Sequence, residues 1–313
     1  MMPKRPELDP QLSTLLAGMP DFPPLNRETL EQIRPYAAGP IEPILEGRAV
    51  TRQEVTIPGP DGAELPLTVL SPPGATTAPC VYWIHGGGMV MGNRYSQIDI
   101  PLEWLERFGA VVVSVDYRLA PEAGGAALVD DCYQGLLWVA AHTAELGIDP
   151  SQIVVAGASA GGGLAAGVAL KARDEGGPAL AAQVLIGPML DYRNATTSSR
   201  QFSGAPGVWT REMNAFGWQS VLAGNAPPAY VSPAVAGDLT GLPPAYLDAG
   251  SAEVFRDEVV TYAFRIWSTG GQADLHIWAG GFHGFDALFP AAPLSAAARE
   301  TRTDWLARHL TKN

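Results

Sequence analysis

The chain has 313 residues, 47% of them hydrophobic, with 20 Lys and Arg against 32 Asp and Glu for a net charge of −12. A chain of that length buries about three quarters of the surface its unfolded form exposes, which suits one large domain carrying an inserted segment. The acidic balance, with no basic stripe to neutralise phosphates, excludes nucleic acid as a partner, and no stretch approaches the ~18 consecutive apolar residues of a membrane span.

Lys4 and Arg5 are followed by no apolar run, so no signal peptide is expected and a cytoplasmic location follows by default. Cys80 and Cys132 fall in a predicted strand and a predicted helix. They read as small buried hydrophobes, not as a disulfide, and without a Cys/His cluster they argue against a structural metal.

In chain order, residues 1–46 are punctuated by proline and predict an arm, with a helix over Asn26–Ile33 that Pro35 ends. Extended runs at Ala49–Ile57 and Leu65–Leu70 flank the turn Gly59-Pro60-Asp61-Gly62 and predict an antiparallel hairpin. The pattern then alternates. Strands are predicted at Cys80–Ile84, Val111–Val115, Ile153–Ala156 and Val184–Ile186, and helices at Ile98–Phe108 and Ala126–Leu146, with a further helix after Ser159. Residues 191–232 break the rhythm with Gly, Pro, Asn and aromatics around one helix, Arg211–Leu222, which marks a cap insertion. Alternation resumes with the strand Ala245–Leu247, the helix Asp257–Ser268, the strand Leu275–Trp278 and the helix Ser295–Leu310. This is an α/β pattern: a mainly parallel sheet with helices on both faces, edged by the antiparallel hairpin. It divides the chain into an arm (1–46), a core in two parts (47–190 and 233–313) and the insertion (191–232).

In such sheets chemistry gathers beyond the carboxyl ends of the strands, where Gly157-Ala158-Ser159-Ala160-Gly161 lies between a β-branched run and an alanine-rich helix. A strand-to-helix turn this tight has no room for bulk two positions either side of a central nucleophile, so Ser159 is the candidate nucleophile. The dinucleotide pattern fails because Ser159 stands where its second glycine belongs, and the P-loop fails for want of Gly-Lys-Ser/Thr. His85-Gly86-Gly87-Gly88 follows the Cys80 strand at the same sheet edge. The N–H groups of Gly86 and Gly87, with that of Ala160, are the expected oxyanion hole, and His85 itself is expected to be a hydrogen-bonded anchor.

Of five histidines, His142 and His309 fall on predicted helices and His276 in a strand, whereas His283 sits in a glycine-flanked loop after the last strand. His283 is the expected base. The acid belongs after the strand Ala245–Leu247, where Asp248, Glu253 and Asp257 are candidates. Asp248 comes early and Asp257 suits helix capping, so Glu253, on the loop between, is preferred.

His85-Gly-Gly-Gly, Asp116-Tyr-Arg-Leu-Ala-Pro-Glu122, Gly157-Ala-Ser-Ala-Gly-Gly162, Glu253-Val-Phe-Arg-Asp-Glu258 and Gly281-Phe-His-Gly-Phe285 together resemble the bacterial hormone-sensitive-lipase-like esterases of the α/β-hydrolase superfamily. The resemblance implies an α/β-hydrolase fold capped by the arm and the insertion. It also implies hydrolysis of small-molecule carboxylesters of short or medium acyl chains, no cofactor, and a homodimer. Three departures stand out. Glu253 replaces the usual aspartate, Ala158 a frequent aspartate, and Ala123-Gly124-Gly125-Ala126 a stretch that commonly holds His and Pro, which predicts a flexible loop. Arg118 and Glu122 are expected to brace the oxyanion loop by pairing with each other or with backbone.

Met89, Val90, Phe202, Trp209, Phe216, Trp218 and Phe282 are apolar and near the motif loops or in the insertion, so they are candidates for a substrate pocket as well as for packing. The same triad would serve a lactonase, amidase or acyltransferase. A non-catalytic small-molecule receptor on this fold would lack the base or the nucleophile, and neither is missing.

Overall fold

In the computed structural model, which describes residues 4–20, 23–204, 207–225 and 227–310, the apolar runs predicted as strands lie side by side in one eight-stranded sheet. Residues 1–3 and 21–22 of the expected arm, 205, 206 and 226 of the expected insertion, and 311–313 lie outside the described residues. The strands are β1 (Thr51–Pro58), β2 (Glu64–Ser71), β3 (Ala78–Ile84), β4 (Val111–Val115), β5 (Ile148–Ala158), β6 (Ala182–Ile186), β7 (Ala245–Gly250) and β8 (Ala273–Trp278). Their order is β1-β2-β4-β3-β5-β6-β7-β8. β1 pairs antiparallel with β2 and β2 with β4, and every later pairing is parallel, so the hairpin edges the sheet as expected.

The helices are α1 (Pro10–Ala17), α2 (Leu30–Ala37), α3 (Glu42–Leu45), α4 (Asp99–Phe108), α5 (Ala127–Ala141), α6 (Thr143–Leu146), α7 (Ala160–Asp174), α8 (Thr197–Gln201), α9 (Arg211–Leu222), α10 (Arg256–Ser268), α11 (Phe285–Leu288) and α12 (Pro293–Leu310). Alternation along β3 shows how they cover the sheet. Cys80, Tyr82 and Ile84 pack on one face with Cys132 of α5 and Leu164 of α7, whereas Val81 and Trp83 pack on the other with Trp104 of α4 and Leu306 of α12. Both cysteines are free and buried.

The arm departs from expectation. Asp9 caps an unpredicted α1 by accepting from the N–H groups of Gln11 and Leu12, with Pro10 at the first helical position, where its missing N–H is no loss. The helix expected over Asn26–Ile33 starts later, because the Asn26 side chain accepts from the N–H groups of Glu28 and Thr29 and closes a turn first. It then runs through Pro35 instead of stopping before it. The helix expected over Ala126–Leu146 is broken at His142, whose ring nitrogen bonds the Trp138 carbonyl at the end of α5.

Candidate active site

The strand β5 ends at Ala158, and the chain turns into α7 through Ser159, held at φ 57°. Its N–H donates to the Ile186 carbonyl at 2.7 Å, and its carbonyl accepts from Met189 N–H at 2.9 Å, so β6 and the loop after it fix the strained residue from both sides. The flanking glycines are required by space. A Cβ on Gly157 would lie 2.3 Å from the Gly161 carbonyl oxygen, and one on Gly161 would lie 2.0 Å from that of Ile84.

His283, 124 residues downstream, places Nε2 2.9 Å from Ser159 Oγ. Its Nδ1 lies 3.2 Å from Glu253 Oε2, and the Glu253 side chain is 2% exposed. The loops that carry these two residues are bonded to each other: Ser251 N–H donates to Trp278 O, Ala252 N–H to Gly281 O, and Gly280 N–H to Ser251 Oγ. The Phe255 ring stands nearly perpendicular to the imidazole, at 78° and 5.0 Å between centroids, which restricts its tilt.

The other two acid candidates are engaged elsewhere. Asp257 accepts from Ser198 N–H at 2.7 Å and from Arg256, tying α10 to α8. Asp248 is buried beneath the site, 3.0 Å from the Arg302 guanidinium. Loss of water pushes its carboxyl above the usual aspartate range, against the pull of Arg302.

His85 is wholly buried, stacked on Tyr117 at 4.3 Å, with Nδ1 2.7 Å from the Gly86 carbonyl. Burial lowers its pKa to about 4, so it stands as a neutral anchor whose Nδ1–H donates to Gly86. The oxyanion expectation needs one correction. The N–H of Gly86 already donates to Gln97 Oε1 at 2.9 Å and is not free for a substrate. The N–H groups of Gly87 and Gly88 have no acceptor among the described residues, and Ala160 opens α7, where a first-turn N–H has no intrahelical partner. Gly88 was passed over in the sequence because the motif alone does not reveal which of three consecutive glycines is tied down.

Trp209 comes to the site. Its ring centre is 6.5 Å from that of His283, and a Cβ on Gly88 would lie 2.2 Å from its Cη2, so only glycine lets Trp209 pack against this loop. Phe202 and Phe216 are half-buried against the main core, Phe202 beneath the Arg5 guanidinium. Met89, Val90 and Trp218 are buried in that core, and Phe282 packs with Leu12, Phe285, Ala292 and Ala298 in a separate cluster under α1.

Arg118 and Glu122 do not pair with each other. Arg118 bonds Asp131 and Asp61, and Glu122 bonds Arg34, whose guanidinium also donates to the carbonyls of Val90 and Ala120. Bracing of the glycine loop therefore runs through Arg34 of α2. The Ala123–Ala126 stretch, expected to be flexible, is bonded at both ends: Ala123 N–H to Leu119 O and Gly125 N–H to Val221 O of α9.

A serine on the turn after the fifth strand of a mostly parallel sheet, beside a histidine from the loop after the last, defines an α/β hydrolase. The chain belongs to that family: residues 81–287 match the model described as alpha/beta hydrolase fold, and the resemblance to the hormone-sensitive-lipase-like esterases is borne out. Among its relatives, esterase LipI of Mycobacterium tuberculosis is 31% identical over 299 residues, spanning 92% of each chain. Carboxylesterase NlhH of the same species is 34% identical, covering 94% of this chain and 93% of its own. Among solved structures, a bacterial heroin esterase superposes with a TM-score of 0.90 at 36% identity, covering 97% of this chain and 98% of its own. Esterase LipW from Mycobacterium marinum superposes with a TM-score of 0.88 at 32% identity over 99% of both chains. No helix among the described residues is long and apolar enough to cross a membrane.

Proposed function

We propose that this protein is a serine carboxylesterase acting on small esters of short or medium acyl chain through an acyl-enzyme. The observation that carries the reading is the hydrogen-bonded line from Ser159 Oγ to His283 Nε2 to Glu253 Oε2. Ser159 Oγ attacks the ester carbonyl carbon while His283 Nε2 takes its proton, and Glu253 holds the ring tautomer and stabilises the imidazolium without accepting the proton. The carbonyl oxygen gains the electron pair and rests on the N–H groups of Ala160, Gly87 and Gly88; each such donor is worth about 3–4 kcal/mol in the transition state. Collapse of this adduct expels the alkoxide, which leaves with the proton from His283. Water, deprotonated by the same imidazole, then attacks the acyl-enzyme and frees the acid. The names of the relatives, esterase and carboxylesterase, support ester over amide or lactone substrates.

In this reading the described residues of 1–46 and 191–232 form a cap over the two-part core, and its Trp209 ring centre lies 6.5 Å from that of His283. Two buried, free cysteines favour a reducing, cytoplasmic setting. A homodimer is supported by the edge of the sheet: among the described residues β8 has no neighbour on its outer side, Ile277 is exposed on it, and Val260, Phe264 and Trp267 form an exposed apolar stripe on α10 beside it.

The test is turnover of p-nitrophenyl esters of increasing chain length by the wild-type chain and by Ser159→Ala. Turnover of short esters, lost in the variant with the fold intact, is expected. Binding without turnover by the wild type would overturn the assignment.

A further inference from the structure

Six described residues other than glycine have positive φ, and three of them belong to the site: the nucleophile Ser159 itself, and Met89 and Gln97 on the segment that follows the glycine loop. Ser159 is strained because the turn demands it, and Met89 follows directly on the glycine loop. Gln97, at φ 53°, belongs to neither motif. A side chain in this region is disfavoured by roughly 1–3 kcal/mol and persists only where the surroundings impose it.

Here they do so from both sides. The preceding residue is fixed by Trp83, whose indole N–H donates to Ser96 O, and by the Ser96 hydroxyl, which donates to Ala37 O and accepts from Asn93 N–H. The following residue, Ile98, is wholly buried in the core of α4 and α12. The strain serves the side chain. It brings Oε1 to 2.9 Å from Gly86 N–H, at the point where the glycine loop passes the nucleophile turn. The crowding there is close: a Cβ on Gly86 would lie 2.9 Å from Ala158 O, 3.1 Å from Gln97 Oε1 and 3.3 Å from Ser159 Cβ.

We propose that Gln97 is a positioning residue: its strained backbone and its carboxamide bond to Gly86 set the orientation of the next two peptide planes, whose N–H groups receive the oxyanion. The proposal rests on the esterase reading above. Gln97 touches no reacting atom. It acts through Gly86, and its effect is felt where negative charge develops and not in ground-state binding.

Two variants separate this role from plain stability. Gln97→Met keeps the length and removes the oxygen. Gln97→Gly removes the side chain and relieves the backbone strain, against the lost bond to Gly86 and a freer unfolded chain, so circular dichroism confirms that it stays folded at the assay temperature. Both are expected to lose about tenfold or more in kcat with KM changed by less than about twofold, since a small misplacement of oxyanion donors lowers rate without weakening substrate binding. The assay is hydrolysis of a short p-nitrophenyl ester, with active enzyme counted by titration with an organophosphate. A trifluoromethyl ketone, whose serine adduct carries the oxyanion, should bind more weakly in proportion to kcat. Wild-type kcat in both variants would overturn the proposal, as would a loss matched by an equal loss of titratable sites. A wild-type chain without esterase turnover would instead overturn the reading on which it rests.

Discussion

The loops bearing Glu253 and His283 are rooted in one buried ion cluster, and breaking it should be felt in stability first. Arg302 of α12 is 1% exposed, with Nη2 3.0 Å from Asp248 Oδ2 and 2.9 Å from Asp286 Oδ2. Asp248 lies in β7, five residues before Glu253, and Asp286 follows His283 by three residues. Asp248 accepts further bonds from Tyr246 and Trp278, both at 3.3 Å. Arg302→Met leaves two carboxylates buried with no counter-charge, and removing one partner of a buried pair costs about 3–5 kcal/mol. For 313 residues the unfolding entropy is ~0.65 kcal/mol/K near the midpoint, so a loss of about 4 kcal/mol lowers Tm by about 6 °C.

The sign with pH follows from Asp248, whose carboxyl is already raised by burial and held down in part by Arg302. Without the guanidinium it rises further. A raised carboxyl contributes stability below its unfolded value that is lost as pH rises through the folded one, so the deficit of the variant is largest near pH 8 and shrinks toward about pH 5. Scanning calorimetry at both pH values measures this. Adding Asp248→Asn and Asp286→Asn to Arg302→Met should recover most of the loss, because no charge is then left buried. A single variant that melts within about 1 °C of the wild type near pH 8 would refute the reasoning.

Glu253→Gln keeps the shape of the acid but not its charge and should lower kcat about 10³- to 10⁴-fold, with Glu253→Asp retaining more; equal rates for Glu253→Gln and wild type would remove Glu253 from the triad. Glu258 is buried, accepts the N–H groups of Leu190 and Asp191, and is pushed well above the usual carboxyl range by burial. Its favourable contribution is therefore present at low pH and lost as pH rises, so Glu258→Gln should gain stability relative to wild type in urea titrations as pH increases; a difference constant with pH would count against a protonated Glu258. Phe264, 63% exposed on α10, should be a contact between two copies, and Phe264→Lys is expected to shift the sedimentation coefficient from dimer to monomer with the folded circular-dichroism spectrum retained. A wild-type chain that sediments as a monomer at every concentration would end the dimer proposal.

Much of the fold and of the site could be read without coordinates because the signals are local. A β-branched run, a Gly-x-Ser-x-Gly turn and an alanine-rich helix set the place of Ser159 through sterics acting over five residues, and elimination among five histidines led to His283. What only the tertiary structure decided involves partners far apart in the chain. Arg118 meets Asp61 from 57 residues away and Arg34 meets Glu122 from 88, neither of which charge patterning along the chain could foretell. Which glycines of the His85 loop keep a free N–H depends on Gln97, eleven residues beyond Gly86 and in a backbone conformation that its residue type disfavours. Local preference settles where a strand, turn or helix begins. The docking of α2, α4 and α12 against the sheet settles which donors, acceptors and charges are left to meet, because a buried polar group takes whichever partner the packing brings within 3 Å or so of it.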